Sequence, residues 1–288
     1  RGLGDVYKRQ YKDSLVLYLS FLETENIKPD CFSRECFERA WLEKWILWLK
    51  ETRQCSADTC NVRLGSLRVF LEYLGEKDIE YLYLYQEAKK IKRQKCTKKK
   101  VCGLTRNAVA AMLSAPDLST RTGKRDVVFL TVLYATAGRL DEIRSIKISH
   151  IHLDEPKPYI ILLGKGGKMR TAYLLPRAVA NIRIYLKEFH GEKPEPEAYL
   201  FYSRVGGRKT KLSEPALDKR IKLCAKIAHE KCPEVPLGAH AHQFRHAKAS
   251  HWLEDGISIV QISFLLGHEQ LETCLLYTSD AADDMQCV

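Results

Sequence analysis

The sequence predicts a mainly α-helical fold with a small antiparallel β-sheet (α+β), and three observations predict it. Apolar residues recur at helical spacing along most of the 288 residues. Only two short apolar runs, 159–163 and 171–175, read as strands. They flank Gly164-Lys165-Gly166-Gly167-Lys168, a turn composition suited to a β-hairpin. A block in which eight of the twelve residues from Lys89 to Lys100 are basic divides the chain into two helical parts, and this length favours two domains.

In the first part, Phe37, Trp41, Trp45 and Trp48 with Leu49 mark one helix, with Arg34, Lys44 and Lys50 on other faces. The tryptophans are expected in the core. Asp58 is placed to cap a second helix whose apolar side is Val62, Leu67, Phe70, Leu71 and Leu74, with Gly75 as its stop. That helix also carries Arg63 and Arg68. The basic block repels itself and resists packing, so it is expected as an extended arm. After it, Leu104 and Thr105 open a helix running to Leu113, and a further helix covers about 124–137. Beyond the hairpin, helices are expected at 176–189, 214–231, 242–254 and 258–266.

Composition narrows the function. The net charge of +11 and a pI of about 9.1 imply an anionic partner, most often nucleic acid. A hydrophobic content of 45% excludes wholesale disorder. No apolar run approaches the roughly 20 residues needed to span a bilayer, and no secretory signal opens the chain, so a cytoplasmic protein is expected. The ten cysteines lack the C-x2-C spacing of common zinc sites and read as free thiols.

Both ends of the chain read as foreign. Residues 5–10 back-translate to GATGTGTATAAGAGACAG, and the reverse complement of that string, shifted by one base, reads Cys274-Leu275-Leu276-Tyr277-Thr278. Inverted copies of one sequence in two frames resemble sequencing adapters joined to a gene fragment. The expected organisation is therefore an adapter-derived stretch at 1–10, a helical domain at 11–88, a basic linker at 89–101, a second domain at 102–273 and an adapter-derived tail at 274–288. Without the two end segments the charge becomes +12, because three cations and one acid leave with the first and three acids with the second.

Six polar residues in the second part suit one task, the handling of a phosphodiester. Arg139 presents a planar fork for two phosphate oxygens, and Glu142, three residues on, could orient it. Lys165 lies at the hairpin tip, where an ammonium can reach into a groove and protonate a leaving oxygen. The glycines beside it do not make a nucleotide loop, because G-x-x-x-x-G-K-[ST] is absent. In His242-Gln243-Phe244-Arg245-His246, His242 and Arg245 are i,i+3 neighbours on a helix, pairing an acid/base with an oxyanion clamp. A zinc site from His242 with His246 or His240 is the weaker reading, since no HExxH glutamate accompanies them. Gly267 is a good residue to end a helix, which throws His268 out of the helix line, and Tyr277 follows nine residues later.

Taken in order, AGRLDEI, GKGGKMR, HQFRH, LLGH and Tyr277 resemble the tyrosine recombinases, or phage-type integrases, over about 104–277. The helical first part is similar, less specifically, to that family's core-binding domain. The resemblance implies DNA integration or recombination of the kind mobile elements use, in which two domains clamp duplex DNA. It implies that Arg139 and Arg245 hold the scissile phosphate, His242 and His268 add hydrogen bonds, Lys165 protonates the departing 5′ oxygen and Glu142 steadies Arg139. It implies Tyr277 as the nucleophile of a 3′-phosphotyrosyl intermediate, no metal or other cofactor, and tetramers on DNA. Arg63, Arg68, Lys92, Arg93, Lys95, Lys98, Lys99 and Lys100 are the expected DNA contacts. Because Tyr277 lies in the adapter-like segment and the family's C-terminal tail is not evident, this chain is expected to bind DNA but to recombine poorly. Type IB topoisomerase relaxation and a non-catalytic DNA-binding module are the competing readings.

Overall fold

The computed structural model describes residues 5–96, 103–164 and 167–267. It divides into two compact units that meet in sequence between Lys99 and Lys100.

Among the described residues the first unit holds four α-helices: α1 (Asp5–Thr24), α2 (Arg39–Glu51), α3 (Ala57–Gly75) and α4 (Ile79–Lys90). Its core gathers Tyr18 and Phe21 of α1, Leu42, Trp45 and Leu49 of α2, and Leu64, Leu67 and Leu71 of α3. Trp45 is wholly buried, while Trp41 and Trp48 pack at the core's edge. Phe37 lies in a short turn ahead of α2, still buried.

Three expectations for this unit need correction. Ser56, not Asp58, caps α3, its hydroxyl accepting the Thr59 amide, and Asp58 falls in the first turn. The buried face of α3 is Cys60, Leu64, Leu67 and Leu71, and Val62 is about half exposed. The basic block does not begin as an arm, because Lys89 and Lys90 form the last turn of α4, where cations face the negative end of the helix dipole. α4 itself is weakly patterned, burying only Leu84 and Ala88. It owes its place to packing against α3.

The second unit begins with α5 (Arg106–Ser114), capped by the Thr105 hydroxyl, and α6 (Arg121–Thr136), capped by Thr120. The five-residue helix α7 (Leu140–Arg144) follows. Strands β1 (Ile151–His152), β2 (Tyr159–Leu163) and β3 (Met169–Tyr173) form an antiparallel sheet in that order. Ile160 and Leu162 face the core, as the period-two pattern requires. Then come α8 (Pro176–His190), the pair β4 (Tyr202–Ser203) and β5 (Gly207–Lys211), α9 (Glu214–Lys231), α10 (Ala241–Glu254) and α11 (Ile259–Leu266). The main core of this unit runs from Phe129 and Leu133 of α6 to Ile160 and Leu162 of β2, Ile182 of α8, Leu217 and Ile221 of α9 and Phe244 of α10, and a smaller cluster joins Ala137, Ala249, Ile262 and Leu266. The fold is thus mainly helical with small antiparallel sheets. Among the described residues, no helix is long and apolar enough to cross a membrane.

Candidate active site

The site is organised by the turn between α6 and α7. Ala137 ends α6 in the left-handed region with φ of 48°, unusual for a residue with a Cβ. Gly138 follows at close quarters, since a Cβ there would stand 2.3 Å from Ile143 Cδ1 and this buried side chain would have to shift. The chain then enters α7 with Arg139 as the preceding, extended residue.

Glu142 lies under this turn and is almost fully buried. Its carboxylate accepts the Arg139 amide at 3.0 Å and the Arg139 Nη1 at 2.8 Å. Its second ion-pair partner is Arg170 of β3, whose Nη2 donates to Glu142 Oε2 at 3.0 Å. Burial by itself would raise this carboxyl's pKa. The charge of Arg170 and the amide and side chain of Arg139 outweigh it and hold the carboxyl below its ordinary value. Burial lowers the Arg170 guanidinium, against the pull of Glu142.

Two arginines tie the turn to the end of α11. Arg170 Nη1 donates to Thr136 O at 3.1 Å and Leu265 O at 2.8 Å, and its Nη2 reaches Ala137 O at 3.4 Å. Arg245 of α10, 1% exposed, donates from Nη1 to Ala137 O at 2.8 Å and from Nη2 to Leu266 O at 2.7 Å. These bonds satisfy carbonyls that helix ends leave open. Gly267 closes α11 in the left-handed region with φ of 67°, and a Cβ there would press on Arg170 Cδ at 3.2 Å. The base of the hairpin is close as well, because a Cβ on Gly164 would lie 3.7 Å from Glu142 Oε1.

His242 sits in the first turn of α10, its ring 4.5 Å from that of His246 and nearly perpendicular to it. Surrounding protein, then the charges of Arg245, His240 and Arg139, hold its pKa below the ordinary histidine value. A neutral imidazole at pH 7 can accept a proton. Arg139 is about half exposed and Arg245 is buried beneath the turn, so His242 and Arg245 are neighbours at different depths.

Arg139, Glu142, His242 and Arg245 thus come together. Arg170 is a residue beneath the site that sequence reasoning misses. Its signal is the final arginine of GKGGKMR, cross-strand from fully buried Leu162, but a strand starting at 171 places it in the turn. Lys165, His268 and Tyr277 lie outside the described residues, as do Lys98, Lys99 and Lys100. In the first unit Lys92, Arg93 and Lys95 are exposed. Arg68 departs from expectation, because its Nε and Nη2 donate to Ala88 O and Ile91 O at 3.0 and 2.6 Å and close the end of α4. Arg63 is half-buried, with Nε lacking a partner. Among the described residues, no group of three or more His, Cys, Asp or Glu gathers as a metal site.

Residues 103–283 match the phage integrase family. The chain belongs to that family. The tyrosine recombinase XerA of Pyrococcus horikoshii is 31% identical over 224 residues, covering 77% of this chain and 70% of that relative. The tyrosine recombinase XerD of Pseudomonas putida is 28% identical over 289 residues, covering 99% and 90%. The crystal structure of the XerH site-specific recombinase in a post-cleavage complex shares the fold with a TM-score of 0.73 at 18% identity, over 96% of this chain and 77% of that one. The enzyme class of this integrase-family chain is therefore that of the site-specific tyrosine recombinases. The family match extends past the described residues and includes position 277.

Proposed function

We propose that this chain binds duplex DNA and that its second unit cuts and rejoins one strand at a time through a 3′-phosphotyrosyl intermediate. The observation that supports this reading best is the meeting of Arg139, His242 and Arg245 at one turn, with Glu142 and Arg170 beneath it. Two guanidiniums of opposite exposure suit a phosphate entering from solvent. Arg139 reaches out to one non-bridging oxygen, and Arg245, buried beneath the turn, meets the other.

In this reading Tyr277 attacks the phosphorus and its phenol proton passes to His242. The bond from phosphorus to the 5′ oxygen breaks, and Lys165 supplies that oxygen's proton. His268 adds a hydrogen bond to the phosphate. The 5′ hydroxyl of a second strand then attacks the phosphotyrosine and restores the phosphodiester. The covalent link retains the bond energy, so ATP is not required. Lys92, Arg93, Lys95, Lys98, Lys99, Lys100 and Arg63 contact phosphates along the duplex, and four copies assemble on DNA.

The segment carrying Tyr277 makes trace activity the expectation for the chain as written. A nicked suicide duplex tests all of this at once. The expected result is salt-dependent binding together with a faint covalent adduct that Arg139→Ala, Arg245→Ala and Tyr277→Phe each remove. Abundant adduct at Tyr277 would make that segment competent. Binding without any adduct would leave a DNA-binding module, and relaxation of a plasmid without exchange between two sites would indicate topoisomerase behaviour. Absence of duplex binding overturns the proposal.

A further inference from the structure

The basic arm after α4 is held in one register by a side chain 33 residues earlier in the chain. Asn61 of α3 donates from Nδ2 to Gln94 O at 2.9 Å, and its Oδ1 accepts the Gln94 amide at 2.8 Å. A single amide side chain therefore satisfies both backbone groups of residue 94, as a neighbouring strand would. The same Nδ2 lies 3.1 Å from the Cys96 sulfur, and the Cys96 thiol donates to Gln94 O at 3.3 Å. Just upstream, the Arg68 bonds to Ala88 O and Ile91 O fix where the helix ends and the arm begins.

This pinning acts on a segment that ought to resist order. Lys92, Arg93 and Lys95 surround Gln94, all three exposed, and among the described residues none of them makes an ion pair. Arg93 is near enough to Arg68 for its charge to bear on that guanidinium, so the pinned arm adds repulsion to α3. Asp58 acts on Cys96, and Glu43 lines the same cavity as Lys92 and Gln94, but neither acid forms an ion pair with the three cations. Cations held in place in this way are preorganised for a polyanion, because the entropy of ordering them is already lost before binding.

We propose that Asn61 is a positioning residue for duplex binding: its side-chain amide fixes the register of residues 92–96 so that Lys92, Arg93 and Lys95 are held ready to meet backbone phosphates. This rests on the DNA reading given above. Asn61 itself need not touch DNA.

The test measures the affinity of the full chain for a random-sequence duplex across a salt series. Four proteins are compared: wild type, Asn61→Ala, the triple variant Lys92→Ala/Arg93→Ala/Lys95→Ala, and the combination of both changes. Asn61→Ala is expected to weaken binding about tenfold and to flatten the dependence of log affinity on log salt by roughly 0.9 for each phosphate no longer neutralised. In the triple-variant background it should add nothing. A general loss of structure is read separately from the helical circular dichroism signal, and a folding defect alone would persist in the triple background. A salt slope in Asn61→Ala equal to wild type overturns the proposal, as does an equal loss in both backgrounds. A triple variant that binds like wild type also overturns it, because there are then no phosphate contacts to position. A wild-type chain that fails to bind duplex at all marks instead the failure of the DNA reading.

Discussion

Replacing Arg170 with methionine should destabilise the second unit far more than replacing Arg139 with alanine, although both arginines pair with the same carboxylate. The Arg170 side chain is 13% exposed and the Glu142 side chain 4%, whereas the Arg139 side chain is 45% exposed. Losing Arg170 leaves a buried carboxylate with one half-solvated partner and strips a donor from Thr136 O and Leu265 O. Breaking a buried pair by removing one partner costs about 3–5 kcal/mol. The carbonyl bonds are not added to that figure, since the same guanidinium makes them all. The Arg139 pair has one partner in water, and screening limits its loss to roughly 0–1 kcal/mol. Urea unfolding read by hydrogen exchange of amides in β3 and α7 isolates this unit from the first. A loss below about 1 kcal/mol for Arg170→Met, or equal losses for the two variants, would refute the assignment of Arg170 as the structural partner of Glu142.

The depressed carboxyl of Glu142 takes up its proton at lower pH in the folded chain than in the unfolded one. Its stabilisation is therefore complete above the ordinary carboxylate range and fades as pH falls through the folded value, and Glu142→Gln should flatten that acid limb in denaturation measured against pH. The imidazole of His242 should titrate below the ordinary histidine value in NMR, and Arg139→Gln, which removes one of the charges depressing it, should move it upward. Ala137→Gly relieves a left-handed residue that costs about 1–2 kcal/mol, but it adds roughly 0.5–1 kcal/mol of chain entropy and removes a methyl group buried with Ile262 and Leu266, worth about 0.8 kcal/mol, so the melting temperature should hardly change. Gly138→Ala crowds Ile143 and should cost about 1–3 kcal/mol in the same melt.

Much of this was legible along the chain because it depends on neighbours in sequence. Ser258 and Gly267 begin and end α11 as their chemistry predicts, Thr105 caps α5, and Glu142 meets Arg139 across three residues. The resemblance carried by the ordered motifs led to the expectation that Arg139, His242 and Arg245 share a site, and the structure brings these three residues near the α6–α7 turn. What period and spacing could not carry were interactions between distant segments. Arg245 reaches Ala137 across 108 residues, Arg170 reaches Leu265 across 95, and Arg68 closes a helix that its own weak pattern hid. The sequence alone determined which charges this protein has and where its strongly patterned helices, such as α5 and α11, begin and end. Only tertiary packing decided which of those charges are sunk into carbonyl-lined sites and which stay open to solvent, because burial is a property of every segment that closes over a side chain.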